Sequence, residues 1–363
     1  MLGSLLLIGS LLVGCASERS PGPEKAGTGI AKPGNEKEGT TESGAENPGI
    51  NPGTAEPGAE ISGQNPGARK LETTKPMPPK SEPENSQPPT PTITESDWSE
   101  YFDGLNGTAV LYDASNNHFM FYQKELALTQ SSPCFTFKII SSMIALENGI
   151  LQPEDSTYPW SGEIFWNENW NQDMDFEQAF SYSCVWYFRK IIDEIGQERM
   201  QEALEKLSYG NCDISDWEGR LNTNNNNRAL TGFWIESSLK ISPREQTEVM
   251  ERIFGEDSLC SEETRKELKK VMQVTGEDVL KNRPDITLYG KTGMGKAEGQ
   301  VVDAWFTGFA EKTPQKEVGK GEESRGENVY FCVHLGKNDG REVSSALAKE
   351  IAIRIVMDEY KEQ

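Results

Sequence analysis

Residues 16–97 contain no Phe, Trp, Tyr or Cys, and this gap does most to limit what the chain can fold into. The stretch repeats Pro-Gly units instead, at Pro33-Gly34, Pro48-Gly49, Pro52-Gly53, Pro57-Gly58 and Pro66-Gly67. Such a segment has too little apolar surface to offset the entropy lost on ordering. The expectation is a disordered Pro/Gly/Glu-rich tether over 16–97, spanning on the order of 50 Å as a flexible coil. All eight tryptophans and both histidines fall in residues 98–363. That length suits one large domain or two intimate subdomains.

Residues 1–15, MLGSLLLIGSLLVGC, form an apolar run that ends at Cys15. The run is short for a bilayer span and has the character of a signal-peptide core. Its ending, Leu-Val-Gly-Cys, resembles a bacterial lipobox, in which the cysteine becomes the lipidated first residue. No Lys or Arg precedes the run, a departure from the usual signal pattern, and an uncleaved anchor is the alternative. The expectation is a lipoprotein signal peptide over 1–15 and lipidation at Cys15. The protein would then be extracytoplasmic, lipid-anchored to the cell membrane, with the tether carrying residues 98–363 towards cell-wall material.

The chain carries a formal charge of −22; the tether, with 8 basic and 13 acidic residues, accounts for −5, which leaves −17 on residues 98–363. An acidic domain has no electrostatic attraction to nucleic acid or anionic lipid, so neither is expected as a partner. An anionic substrate would need a local basic patch. Apart from Cys15 there are five cysteines, Cys134, Cys184, Cys212, Cys260 and Cys332. An odd number cannot all pair within one chain, and none has the CxxC spacing of a zinc site. His118 and His334 are far apart in sequence without acidic or cysteine ligands clustered around them. Neither a metal nor a Ser-His-Asp triad is expected.

Hydrophobic patterning places two strands in GTAVLYDASNNHFMFYQ (107–123) around a polar turn. The spacing of Phe137, Ile140, Ile144 and Ala145 predicts a helix over 136–148, stopped by Gly149. Further helices are predicted in FEQAFSYSCVWYFRKIIDEIG, QERMQEALEKLSYG, SPREQTEVMERIFG and SEETRKELKKVMQV. LNTNNNNRAL reads as a surface loop. Then come three β-rich runs, DITLYGKTG, VVDAWFTGFAE and NVYFCVHLG, and a closing helix, SSALAKEIAIRIVMDEYK. Strands at both ends with helices between predict an α/β (α+β) fold: an antiparallel sheet built from the two chain ends, flanked by helices, with a helical subdomain inserted.

The residues that carry chemistry are individually bland. Lys291-Thr292-Gly293 can present an ammonium and a hydroxyl to a carboxylate, with Gly293 admitting close approach, or it can be a solvated turn. Ser183-Cys184-Val185 can be a serine facing a crevice, or one bonding to the preceding helical turn. Tyr209-Gly210-Asn211 reads equally as a helix stop, and Trp234 as a core aromatic.

Their order changes the reading. Lys138, Ser183-x-Val185, Tyr209-Gly210-Asn211, Trp234 with SLKISPREQ, and Lys291-Thr292-Gly293 before AWFTGF occur in one chain in one direction. Over roughly residues 100–358 this resembles the penicillin-recognising serine hydrolases, which have a β-lactamase/transpeptidase-like fold. It is most similar to the class D (oxacillinase-type) β-lactamases and the related sensor domains of penicillin receptors. The resemblance implies binding of β-lactams, or of peptidoglycan stem peptides, and hydrolysis of the β-lactam ring through an acyl-enzyme. It implies that Lys138 is the general base, carboxylated by CO2, with no other cofactor. Because such a carbamate forms on a neutral amine, the pocket must depress the lysine pKa by desolvation, which apolar Phe137 and Val185 would favour. By the same resemblance Trp234 bonds the carbamate and Ser183 relays a proton to the leaving nitrogen. Lys291, Thr292 and Gly293 form the carboxylate-binding strand. The backbone N–H groups of position 135 and Met294 form the oxyanion hole, and Arg341 binds the substrate carboxylate.

One residue departs from the pattern. Where the family has Ser-Thr-Phe-Lys, this chain has Phe135-Thr136-Phe137-Lys138. A phenyl ring has no proton to lose and forms no acyl-enzyme. Ser132 precedes Pro133, outside the helix, and Thr136 is turned about 100° away around it. Cys134 would share a face with Lys138 only if the helix began one residue early. Three readings follow. The first is a class D β-lactamase lineage, catalytically impaired by Phe135. The second is a wall-facing pseudoenzyme that binds β-lactams or stem peptides through Lys291-Thr292-Gly293. The third is a penicillin-sensor-like domain.

Overall fold

The computed structural model describes residues 90–223, 225–313 and 327–362. The apolar run, Cys15 and the tether up to residue 89 lie outside the described residues. In chain order the elements are β1 (Thr92–Glu95), α1 (Ser99–Phe102), β2 (Gly107–Asp113), β3 (His118–Tyr122), α2 (Lys124–Ala127) and α3 (Lys138–Glu147). Then follow α4 (Phe176–Ser181), α5 (Val185–Ile195), α6 (Gln197–Leu207), α7 (Pro243–Phe254), α8 (Glu262–Met272) and α9 (Asp278–Lys281). The last are β4 (Ile286–Ala297), β5 (Gln300–Lys312), β6 (Glu327–Gly336) and α10 (Ser345–Glu362).

The six strands form one sheet in the order β1-β3-β2-β6-β5-β4. The two chain ends meet where β2 pairs antiparallel with β6, from Gly107↔Leu335 to Asp113↔Val329. Helices α3–α9 are inserted between the strands of the two ends, as the order of patterns predicts. The β2–β3 turn is closed by Asp113, whose Oδ1 accepts from the N–H groups of Ser115 (2.9 Å) and Asn116 (3.2 Å).

Alternation along the central strands splits the core in two. Phe306, Phe331 and Val333 face α10, against Ile351, Ile355 and Val356. Phe309 and Tyr330 face the other side, where Phe254 of α7 stacks on Phe309 at 4.4 Å between centroids. The helical core continues from there through Phe137, Ile140 and Ile144 of the α3 segment to Val185, Phe188 and Ile192 of α5. Both α4 and α7 begin with capping boxes, Asp175 with Gln178 and Ser242 with Glu245, and Pro243 is pre-set for the first helical turn.

Three local expectations are corrected. Strand β1 lies inside 16–97, the stretch expected to be a disordered tether. Its side chains are exposed, so burial does not hold it. It is held by pairing parallel to β3, with Thr92 N–H donating to Asn117 O (3.0 Å) and Ser96 N–H to Phe121 O (2.8 Å). The helix predicted through FEQAFSYSCVWYFRKIIDEIG is two helices. The chain breaks at Ser183, whose φ of +53° is left-handed. The predicted start at 136 is a 3-10 turn, Cys134–Phe137, that leads into α3.

Candidate active site

The turn before α3 is fixed from two sides. Ser131 and Ile241 exchange backbone hydrogen bonds at 3.0 and 2.9 Å, and Cys134 N–H donates to Trp234 O at 2.9 Å. Ser132 Oγ donates to the same carbonyl (3.1 Å) and accepts from Glu236 N–H (2.7 Å). From the other side β4 presses on the turn. A Cβ on Gly293 would lie 3.0 Å from Thr136 Cγ2 and 3.1 Å from Pro133 O and Thr136 N. Gly293 is therefore required for the close packing of β4 on the helix start, and this packing brings Lys291 close enough for its charge to act on Lys138.

Lys138 is 1% exposed, and its ammonium nitrogen has no hydrogen-bond partner among the described residues. The Phe135 ring lies 4.0 Å from Nζ and the Phe188 ring 5.2 Å. Burial first, and then the charge of Lys291, hold this amine well below the ordinary lysine range. Lys291 is also buried; its Nζ donates to Ser183 Oγ at 2.5 Å, to Thr292 O at 3.2 Å and to Thr292 Oγ1 at 3.4 Å. Burial pushes its amine down to about 7. Val185 opens α5 as a buried residue, and Met294 follows Gly293 as a half-buried one. Trp234 is buried, its ring parallel to Phe137 at 6.1 Å between centroids. The Arg189 guanidinium lies 5.7 Å from the same ring and is itself held by Asp193 Oδ1 at 2.7 Å and Trp217 O at 2.7 Å.

The structure thus brings Phe135, Lys138, Ser183, Val185, Lys291, Thr292 and Gly293 together, with Trp234 stacked behind. None of the neighbours of Phe135 replaces a serine hydroxyl. Thr136 Oγ1 is turned away, donating to Pro133 O (2.8 Å) and accepting from Gln246 Nε2 (3.0 Å). The Cys134 thiol contacts Ser132 O at 3.5 Å, and burial together with Asp303 and Glu236 pushes it well up, so it stays protonated. The five described cysteines are free thiols.

Arg341 is not brought to the site. Its NH2 pairs with Asp103 Oδ2 at 3.0 Å and its NH1 donates to Asp103 O at 2.5 Å, across the α1–β2 connection. The expected role on a substrate carboxylate is corrected accordingly: Arg341 is engaged by Asp103, while Lys291 and Thr292 lie beside Ser183. Substituting Arg341→Ala is expected to change the affinity for benzylpenicillin by less than about twofold, since exposed ion pairs contribute little. Isothermal calorimetry would check this, and a tenfold loss would return Arg341 to the site.

Tyr209-Gly210-Asn211 proves to be a clamp. Gly210 has φ +53°, and a Cβ there would fall 1.9 Å from Lys240 O. Asn211 closes the clamp, its N–H donating to Lys240 O (3.0 Å), its Nδ2 to Ser238 O (2.9 Å), and its Oδ1 accepting from Lys240 N–H (2.9 Å). The 234–241 segment that positions the turn before α3 is held in this way. Gly210→Ala is expected to cost at least about 2 kcal/mol, through the left-handed strain and the backbone clash. The midpoint of urea unfolding would measure it.

A cluster that sequence reasoning missed lies behind the turn. His334 Nε2 and Asp303 Oδ1 are 2.8 Å apart, and both residues are buried. Burial and the Asp303 charge push the Glu236 carboxyl up to about 7. Cross-strand register joins these residues (Asp303 lies opposite Gly295 and Gly336), and no local spacing signals it.

Comparison with known proteins agrees with this geometry. The family described as the penicillin-binding protein transpeptidase domain matches residues 106–319. The regulatory protein BlaR1 of Bacillus licheniformis is 27% identical over 273 residues, covering 74% of this chain and 39% of that protein. The chain thus spans about two fifths of the length of that relative. β-Lactamase OXA-19 of Pseudomonas aeruginosa is 30% identical over 273 residues, covering 74% of this chain and 91% of the enzyme. Among solved structures, the C-terminal domain of the Bacillus licheniformis BlaR penicillin-receptor superposes with a TM-score of 0.60 at 25% identity, covering 75% of this chain and 98% of that one. With a matched segment that runs from before β2 past β5 and encloses Phe135, Lys138, Ser183 and Lys291, the chain belongs to the penicillin-binding protein transpeptidase domain family.

Proposed function

We propose that the domain binds β-lactams in the cleft between α3, α5 and β4, and that Phe135 shuts off the family's hydrolytic route. The observation that carries this reading is the Phe135 ring 4.0 Å from Lys138 Nζ. In the family a serine hydroxyl would stand at this position and surrender its proton to the base. The ring supplies no nucleophile and caps the amine that would take up CO2 as a carbamate. Lys291 and Thr292 still offer donors to a carboxylate. Lys291 Nζ and Thr292 Oγ1, 3.4 Å apart, are hydrogen-bonding groups rather than a strong positive patch, since burial depresses both Lys138 and Lys291. Lys138 is accordingly a base without a nucleophile. An N-terminal lipid anchor at Cys15 would hold the domain outside the cytoplasm.

Calorimetry with benzylpenicillin, alongside nitrocefin turnover by the same preparation, tests the reading. Saturable binding without steady turnover is expected. Absence of binding would sink it, and rapid turnover would show that Phe135 does not block the reaction.

A sensor role is a second reading, suggested by the likeness to the penicillin-receptor C-terminal domain and to BlaR1. A binding domain that does not turn its ligand over suits reporting better than resistance. Acyl-D-Ala-D-Ala peptides are the competing ligands, since they present a carboxylate to the same Lys291 and Thr292.

A further inference from the structure

We propose that Ser183 and Lys291 form a second nucleophile–base pair, and that Ser183 Oγ accepts the acyl group of a bound β-lactam in place of the missing hydroxyl at position 135. The inference rests on the β-lactam-binding reading above and specifies where a covalent bond would form.

Three observations carry it. The Lys291 nitrogen and the Ser183 oxygen are 2.5 Å apart. Ser183 is half-buried while Lys291 is buried, so the hydroxyl is the more accessible member of the pair. Ser183 also occupies the left-handed φ of +53°, at the break between α4 and α5. A serine has no intrinsic preference for that conformation, and strain of this kind collects where a side chain must be aimed. Its N–H donates back to Phe180 O at 3.2 Å, which holds the turn.

The protonation state fits the role. Burial pushes the Lys291 amine down to about 7, so near neutral pH much of it is an uncharged base. The amine then accepts the Ser183 O–H proton across the same contact through which the ammonium donates. Lysine paired with serine is a recurrent alternative to histidine in acyl transfer.

The step balances without a co-reactant. Ser183 Oγ attacks the lactam carbonyl carbon as its proton passes to Lys291 Nζ. A C–O bond forms, the lactam C–N bond breaks, and the ring nitrogen leaves with the proton returned from Lys291. The products are an ester on Ser183, a secondary amine on the opened ring, and neutral Lys291.

The full chain is incubated with benzylpenicillin, and in parallel with an alkyl fluorophosphonate, which esterifies activated serines without β-lactam recognition. Intact mass and peptide mapping then locate any adduct. One added β-lactam mass on the Ser183 peptide is the expected result. Ser183→Gly, which accepts a left-handed φ without strain, should abolish it. Lys291→Met should slow labelling by about 100-fold, the scale of a lost general base. Calorimetric binding without an adduct, or an adduct on another residue, overturns the proposal. Fluorophosphonate labelling of Ser183 in a chain that binds no penicillin supports the pair and refutes the β-lactam reading, so the two failures are distinguishable.

Discussion

Phe135→Ser is expected to raise nitrocefin hydrolysis by at least about three orders of magnitude, the scale on which covalent hydrolases depend on their nucleophile. The reason is local. The substitution places a hydroxyl one helical turn before Lys138, on a backbone already held by Ser131, Ser132 and Cys134. It also removes the ring that lies over the amine. Because burial and Lys291 hold Lys138 well below its ordinary range, the uncovered nitrogen is in the form that adds CO2. The variant should therefore show a carbamate carbon resonance in 13C-bicarbonate buffer, and its turnover should rise with bicarbonate. Phe135→Ala is the control, since it opens the same space without a hydroxyl and should stay inactive towards nitrocefin. Loss of the half-buried ring will cost stability, on the order of 1–3 kcal/mol, so folding is checked first by circular dichroism. A folded Ser variant without turnover would mean that Phe135 is not what separates this chain from hydrolysis.

How far the sequence carried depends on whether each feature is coded locally. The sheet made from two chain ends was legible because β2, β3, β5 and β6 are runs rich in β-branched or aromatic residues. The cleft was legible because its landmarks fall in a fixed order, although each alone is ambiguous. Ser183 shows where this stops. Nothing in FEQAFSYSCVWYF contains Gly or Pro, so the left-handed break that aims the hydroxyl at Lys291 had no local signal. Packing of α4 and α5 against the core decided it. Strand β1 was missed for a related reason, since Thr92–Glu95 buries nothing and is defined by its hydrogen bonds to β3. Arg341 was misplaced because it lies beyond the last anchored motif, where register along the chain no longer fixes position in space. His334 read as isolated, yet strand pairing sets it beside Asp303. Residue type suggested the chemistry at these positions, and tertiary contact decided which groups meet.

Lys138→Met is expected to stabilise the fold by about 1–4 kcal/mol at pH 7, because it replaces an unpartnered buried amine with an apolar side chain of similar length. The pH dependence identifies the cause. Lys138 and Lys291 are depressed in the fold and ordinary in the unfolded chain, so between the folded and unfolded values the unfolded chain binds more protons. Stability then rises with pH, by about 1.4 kcal/mol per pH unit for each amine. For Lys291 this window opens at about 7, and for Lys138 the desolvation is joined by the charge of Lys291. Glu236 acts in the opposite sense below that range. Its carboxyl is raised to about 7, so its contribution falls as pH rises and is spent above that value. The buried thiols Cys134, Cys184, Cys260 and Cys332 are raised as well, and they oppose the lysines as unfolded thiols ionise around their midpoint of about 8.5. These thiols are shared by parent and variant, so Lys138 is read from the difference between the two over roughly pH 7.5 to 8.5. There the slope of the parent chain should exceed that of Lys138→Met by about 1.4 kcal/mol per pH unit, read from urea midpoints at constant ionic strength. Equal slopes, or a Met variant less stable than its parent, would show that the amine is paired or solvated in solution. In that case the site could not present the neutral amine on which the family's carbamate depends.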